Sequence, residues 1–431
     1  MHAILTSHGS TGDIYPMIGL GVALQNAGHQ ASFATSPPFR AEIEAAGLNY
    51  LQIPPLWSQA NLAYWMGVLQ SHSTPLMQLR ALYRAARPHI SSLIDEMDRH
   101  LQTADALISS YLFPMNRALA ERHGLPFATF AFAHNTVPSR YHPPEGLPRL
   151  RFMPGPIQQS WNRTCWRLGN LLVDTVINQT IARELKARGL PQVRDFFSKP
   201  ADLVLLGVSK GLMHPPFKLN PRFRFVGYSR WQASHSGKLE SEILAFTRGG
   251  KVPILTFGSM VYDRPGRWMG RLVNNWPSER KLIIQEGWGR LKPPPGHPNL
   301  FSIGPCSHDQ LFSHASVVIH HGGAGTTASV LHAGRPHIVV PHIADQHFFS
   351  GEVKRLGVGH RIRKSRWPEL LHQTVQQIEQ DPSLAERVAD ARRILQNEDG
   401  PGEAVREIEA FVARQSSGDS PAASRRFFAS T

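Results

Sequence analysis

Residues 320–346 read HHGGAGTTASVLHAGRPHIVVPHIADQ. An apolar run, 316–320, leads into His320-His321-Gly322-Gly323-Ala324-Gly325-Thr326-Thr327. A short helical stretch follows and stops at Ala333-Gly334, a left-handed C-cap signal. Arg335-Pro336 then opens a second apolar run, 337–341. This is strand, glycine turn, helix and strand, the unit from which parallel sheets are wound. A glycine-rich turn lets a ligand approach the backbone, and Thr326 or Thr327 is a candidate helix cap. The free N–H groups and the helix dipole favour an anion such as a diphosphate. His321 adds a donor or a charge beside it. The loop alone is equally compatible with a plain packing turn. The flank shifts the balance, because Pro341-His342-Ile343-Ala344-Asp345-Gln346 ends the neighbouring strand, and carboxyl ends of parallel strands share a crevice. Asp345 and Gln346, a carboxylate beside an amide, suit hydroxyl groups that both donate and accept. Helix capping by Asp345 is the competing role. One crevice for an anion and a polyol has the composition of a nucleotide sugar.

The same alternation runs outward in both directions. Residues 1–7 form an apolar first strand, followed by the turn His8-Gly-Ser-Thr-Gly-Asp-Ile-Tyr-Pro16 and a helical stretch over 17–27. Strands are expected at 30–35, 104–110, 126–132, 202–207 and 223–227, and a long amphipathic helix at 160–188. A polar, turn-rich segment at 229–237 interrupts the series. Further strands follow at 252–257, 281–285 and 300–303. The expected class is therefore α/β, with two facing Rossmann-like doubly wound parallel-sheet domains and an interdomain cleft. The division is 1–228, a linker at 229–240, a second domain at 241–414, and a disordered tail at 415–431.

Composition narrows the function. The 431 residues are 41% hydrophobic and 18% charged, which excludes bulk disorder. Cys165 and Cys306 are the two cysteines, too few for a disulfide scaffold or zinc ribbon. Lys and Arg number 46 against 32 Asp and Glu, a formal +14. That favours anionic partners. The basic residues are scattered and no nucleic-acid motif is present, so no nucleic-acid partner is expected. A nucleotide-type substrate, or peripheral contact with an anionic membrane face, fits better. There is neither a signal peptide nor an apolar stretch long enough to span a bilayer, so the expected location is cytoplasmic, or peripheral at the inner face of the membrane. Eight histidines lie between His308 and His347, but no HExxH accompanies them and carboxylates are few. No metal site is expected.

His321-Gly-Gly-Ala-Gly-Thr-Thr, Gly334-Arg335-Pro336 and Asp345-Gln346 together resemble the donor-binding signature of the family-1 glycosyltransferases of GT-B fold. The likeness is to the bacterial and fungal branch, which includes sterol glucosyltransferases, glycopeptide-antibiotic transferases and rhamnolipid rhamnosyltransferases. Thr256-Phe-Gly-Ser-Met260, Glu286-Gly-Trp-Gly289 and Gly9-Ser-Thr-Gly-Asp-Ile-Tyr-Pro16 match the same branch. The resemblance runs through most of the chain and fades at 56–100 and 138–190, where the family varies its acceptor pocket.

The resemblance implies roles residue by residue. His321 contacts the donor diphosphate, and Gly323, Gly325 and Thr326 hold the same phosphates. Ser259 touches them across the cleft. Asp345 and Gln346 bind sugar hydroxyls, and Cys306 to His308 border the base. The Trp that plant members place near Pro305 is absent. Asp13 is the general base that takes the acceptor's hydroxyl proton, unless it only caps a helix whose first turn holds Pro16. His8 and His134, each after an apolar strand, are candidates for orienting the acceptor. The implied reaction inverts the anomeric carbon, with a UDP- or dTDP-linked hexose, by default glucose, as co-substrate and no further cofactor. The implied acceptor is an apolar hydroxylated molecule: sterol, terpenoid, lipid or polyketide. Alternatives are a sugar-nucleotide epimerase on the same fold and a non-catalytic partner protein that kept it. A dinucleotide oxidoreductase lacks its GxGxxG turn.

Overall fold

The computed structural model describes residues 1–150, 152–213, 219–232 and 236–417. Of the tail expected to be disordered, Gln415 and Ser416 instead close the last helix, and the part from residue 418 onward lies outside the described residues. Seven strands form the first sheet: β1 (His2–Thr6), β2 (Gln30–Thr35), β3 (Asn49–Gln52), β4 (Ala106–Ser110), β5 (Phe127–Ala131), β6 (Leu203–Leu206) and β7 (Phe223–Phe225). Six form the second: β8 (Val252–Thr256), β9 (Leu282–Gln285), β10 (Leu300–Ile303), β11 (Ala315–His320), β12 (His337–Val339) and β13 (Gly359–Arg361). All the pairs are parallel. Central strands such as Phe-Ala-Thr-Phe-Ala and Leu-Val-Leu-Leu are buried throughout, as strands covered by helices on both faces must be.

The strand orders are β3-β2-β1-β4-β5-β6-β7 and β10-β9-β8-β11-β12-β13. Each reverses at one point, between β1 and β4 and between β8 and β11. Ligands of open α/β sheets bind where the order reverses. Thr6 pairs with Ser109, and Thr256 with His320. The loops that leave β1 and β4 are therefore level, as are those leaving β8 and β11. Both switch points open into one cleft.

Three local features depart from the sequence expectation. The first helix begins at Thr11, six residues early, because Ser10 and Asp13 form a capping box; Pro16 then lies inside the helix rather than at its start. The edge strands β3 and β13 were not expected, because Asn49, Gln52 and Arg361 give them polar faces. The closing helix, Gly400–Ser416, comes last in the chain but packs on the Thr11–Asn26 helix and β6 of the first sheet. Its Val405, Ile408 and Phe411 are buried there. His29 and Glu409 meet at 2.8 Å, and Glu398 accepts from the Ser209 hydroxyl at 2.8 Å.

Further contacts fix the two sheets against each other. The Ser229 hydroxyl donates to the Pro16 carbonyl at 2.7 Å, and Arg230 pairs with Asp309 at 3.2 Å. The Gln70 amide holds both the N–H and the carbonyl of Val261, at 2.9 and 3.1 Å.

Candidate functional site

The cleft encloses a cavity of about 1380 Å³, larger than the usual span of roughly 300–1,000 Å³ for small-molecule sites. It is lined from both sheets. Its two ends differ in chemistry.

At one end is the glycine loop. The helix Ala324–Ala333 has Gly323 as N-cap, with no side chain capping it. Capping by Thr326 or Thr327, expected from the sequence, does not occur, because the helix starts one turn earlier than that would need. Thr327 is buried inside the helix, and its N–H donates back to the Gly323 carbonyl at 2.9 Å. The N–H groups of the first turn have no intrahelical acceptor, as at any helix start. Gly323, Ala324, Gly325 and Thr326 face the cavity. His321 lines it beside them, and burial pushes its imidazole down to about 3. The ring is thus neutral at pH 7. Its Nδ1 is buried with no partner among the described residues. A polar atom left so is costly, and an anion placed before the helix would supply the partner.

Gly322 holds this geometry. Its φ is +91°, and a Cβ there would lie 2.6 Å from Val339 Cγ1 and 3.1 Å from the Gln346 carbonyl. Gly322→Ala is expected to cost about 1–3 kcal/mol of stability through strain and to weaken any ligand held by the loop. Denaturant midpoint and ligand titration read the two effects; a variant unchanged in both would overturn this account of the loop.

Behind the loop the histidines are spent on one another and on the protein. The Gly322 N–H donates to His320 Nδ1 at 3.1 Å, which leaves the proton on His320 Nε2 to face His337 Nδ1 at 3.0 Å. His342 meets the Tyr262 hydroxyl at 2.7 Å, and His314 meets Glu240 at 2.7 Å. Among the described residues, no three His, Cys, Asp or Glu side chains are placed to hold a metal ion.

Asp345 precedes the helix Gln346–Leu356, but its side chain makes no cap bond. It faces the cavity, and its pKa is pushed up to about 7, first by burial and then by the charges of Asp13 and Glu145. Gln346 is differently used. Its amide oxygen accepts from the N–H groups of His342 and Ile343, at 2.8 and 3.1 Å, and its nitrogen lies 3.3 Å from Met260 Sδ. Gln346 thus braces its own loop while it lines the cavity. Ser259, Cys306 and His308 line it too. Burial raises the Cys306 thiol to about 11 and lowers His308 to about 4.

Across the cleft stands Asp13. Its Oδ2 accepts from the Ser10 N–H at 2.7 Å and from the Ser10 hydroxyl at 3.0 Å. Capping thus occupies one carboxylate oxygen. Burial raises its pKa, and the Ser10 bonds oppose the rise. Gly9 lies at φ +134°, where a Cβ would strike the Asp13 carboxylate.

His8 and His134 do not line the cavity. His8 packs on Phe113 at 4.7 Å and meets the Ser36 hydroxyl at 3.3 Å. His134 stands edge-on to Phe348 at 4.8 Å and to Phe225 at 5.7 Å, between the two halves. The lining residues that escaped the sequence reading include Glu145, Tyr111 and Gln232. Glu145 accepts from the Asn135 amide at 3.1 Å and lies in a proline-rich stretch without period. Tyr111 is surrounded and flanked by all three carboxylates. Gln232, from the linker, accepts from the Ser307 hydroxyl and the His308 N–H, at 3.2 and 3.0 Å. No motif marks any of them.

The other end of the cavity is apolar. Met66, Leu69, Leu79, Leu112, Phe132 and Phe196 form its walls. Met66, Leu69 and Leu79 belong to helices (Gln59–Ser71 and Pro75–Ala86) in the stretch where the resemblance fades.

Comparison with known proteins agrees with the two-sheet fold. Residues 3–141 match the glycosyltransferase family 28 N-terminal domain, and 302–411 the C-terminal domain of the erythromycin biosynthesis protein CIII-like family. Glycosyltransferase GtfE of Amycolatopsis orientalis is 28% identical over 371 residues, 83% of this chain and 85% of that one. A sterol 3-beta-glucosyltransferase of Arabidopsis thaliana is 27% identical over 421 residues, 92% of this chain but 66% of its own length. The fungal sterol 3-beta-glucosyltransferase of Debaryomyces hansenii is spanned for only 24% of its length. In solved structures, the glycotransferase of kitacinnamycin superposes with a TM-score of 0.69 at 18% identity, covering 95% of this chain and 99% of that one. The Streptomyces sp. SF2575 glycosyltransferase SsfS6, complexed with thymidine diphosphate, gives 0.64 at 17%, with coverage of 95% and 99%.

Proposed function

We propose that the chain is a family-1-like glycosyltransferase of GT-B fold, as its two matched domains and its transferase relatives support, and that it moves a hexose from a nucleoside-diphosphate sugar to a hydroxyl of an apolar acceptor. The observation that carries this reading is that one cavity has an anion cradle at one end, apolar walls at the other, and carboxylates of both halves facing it. Asp13 is the general base for the acceptor hydroxyl. The helix N-terminus at Gly323–Thr326 and His321 take the diphosphate and stabilise it as it leaves. Asp345 binds the sugar. The hexose is attacked from the side of Asp13, opposite the cradle, so the anomeric carbon inverts in one displacement. Apolar walls favour a sterol, terpenoid, lipid or polyketide acceptor, and the sterol 3-beta-glucosyltransferase among the relatives supports the sterol member of that range. Glucose is the default sugar, linked to UDP or dTDP. No further cofactor or metal is invoked, since the cradle supplies the charge. The epimerase and partner-protein readings find no counterpart among the relatives named above.

Thermal shift against UDP, dTDP, GDP and NAD tests the donor site. A ligand of the folded state at 100 times its Kd adds about 2.7 kcal/mol. A nucleoside diphosphate is expected to raise the midpoint while NAD does not. A panel with no shift from any diphosphate would overturn the donor assignment.

Among the described residues no helix is long and apolar enough to cross a membrane. A cytoplasmic location, or one peripheral to the inner membrane face, is part of the same proposal.

A further inference from the structure

The long helix Gly155–Ala187 passes the mouth of the cavity and turns an apolar face to solvent. Arg163, Arg167 and Leu171 follow at intervals of four, so they form one row along it. Leu168 and Leu172 form the next row, and Ile157 lies about three turns before Leu168 on the same side. Leu171 is 63% exposed, and Ile157, Leu168 and Leu172 are about half exposed. Phe152 is fully exposed and Met153 half exposed, just before the helix begins. Contiguous exposed apolar surface of this kind marks an interaction site.

Beside this face is a second, shallower cavity of about 410 Å³. Arg140, Arg163 and Arg167 line it with the hydroxyl residues Ser139 and Ser198. Among the described residues, none of these three guanidinium groups is in an ion pair. The loop bearing Arg140 is fixed to the helix. Asn162 donates to the Arg140 carbonyl at 2.9 Å, and the Trp166 indole to the His142 carbonyl at 2.8 Å. The stretch 136–173 holds five arginines and one glutamate, and that glutamate, Glu145, faces the large cavity. Trp166 lines both cavities, while Leu147 and Leu172 line the large one and are also exposed. The mouth of the apolar cavity thus opens on the face that carries the arginines.

We propose that this face docks on an anionic phospholipid surface. Arg140, Arg163 and Arg167 take headgroup phosphates through charge-assisted bonds. Phe152, Met153, Ile157, Leu168 and Leu171 enter the boundary between headgroups and acyl chains. An apolar acceptor then passes from the membrane over Leu147 and Leu172 into the cavity without crossing water. This last step rests on the acceptor class proposed above; the docking itself does not.

Co-sedimentation of the full chain with phosphatidylcholine vesicles, with and without an equal share of phosphatidylglycerol, tests it. Binding is expected only to the anionic vesicles. Arg163→Gln/Arg167→Gln should lower the partition on the order of tenfold or more, and Leu168→Ser/Leu171→Ser should also weaken it. Both variants should keep the wild-type midpoint and its shift with nucleoside diphosphate. No vesicle binding, equal binding to neutral vesicles, or anionic binding indifferent to both variants would overturn the proposal. Release by millimolar inorganic phosphate, with the leucine variant unaffected, would overturn it too and leave a small-anion site. A chain that shifts with diphosphate but ignores vesicles refutes docking alone. One that binds vesicles but shifts with no diphosphate keeps the docking and refutes the donor assignment.

Discussion

Asp13→Asn should lose transfer by roughly 10²–10⁴-fold, the usual worth of a positioned general base, while it binds nucleoside diphosphate and melts as the wild type does. The substitution preserves shape. An amide oxygen at Oδ2 still accepts the Ser10 N–H that it meets at 2.7 Å, so the capping half of the residue's work survives. Only the basic half is removed. kcat at saturating acceptor, diphosphate titration and thermal midpoint separate the three quantities. Transfer retained within about tenfold would remove Asp13 from the base role. The pH profile adds a second readout. The carboxylate is the working form, so the rate falls as pH drops through its pKa. Burial raises that pKa, which places the acid limb above the ordinary Asp value of about 3.9. The charge of Asp13 helps push Asp345 up to about 7. Asp13→Asn removes that charge, so the Asp345 carboxyl should titrate at lower pH, as NMR of the carboxyl would show. An Asp345 titration that stays in place would mean that the two carboxylates are not coupled.

His321→Ala should weaken diphosphate binding by roughly 10- to 100-fold, the range of a hydrogen bond to a charged group. It should leave the unliganded midpoint nearly unchanged. The ring loses packing, but the buried Nδ1 that has no partner among the described residues is lost with it. Affinity down with stability held is not what a packing residue produces. The empty-site pKa of about 3 makes the neutral imidazole the binding form at pH 7. A bound diphosphate favours its protonation, so affinity should rise as pH falls. The His321→Ala variant should lose that slope. Titration at several pH values checks both. Unchanged affinity would take His321 out of the donor site.

The glycine-loop end of the cavity was legible because its geometry is local. His321 to Thr327 lie on one strand-to-helix turn, and Asp345-Gln346 on the next loop, so parallel winding alone brings them together. The place of Asp13 at the cavity was legible for the same reason, on the first turn of the first strand-helix unit. The role of Gln346 was not, because only the folded loop shows its amide oxygen taken by His342 and Ile343. Nor was the packing of His8 and His134 legible. An apolar strand before a histidine fixes which end of the sheet it occupies, but not whether the ring turns to the cavity or packs on Phe113 or Phe348.

By itself the sequence determined the alternation of strands and helices, the two glycine-marked turns and the absence of metal-ligand spacing. Each of these depends on neighbours a few residues apart, where backbone geometry leaves few choices. The tertiary structure decided everything that depends on the facing of distant segments. It set Glu145 and Asp13 against Asp345 and drew Gln232 of the linker to His308. It laid the last helix on the first sheet and gathered Arg140 with Arg163 and Arg167 into one pocket. Those contacts form only when apolar faces from remote parts of the chain are buried together. No period or motif in a single segment records which remote face it will meet.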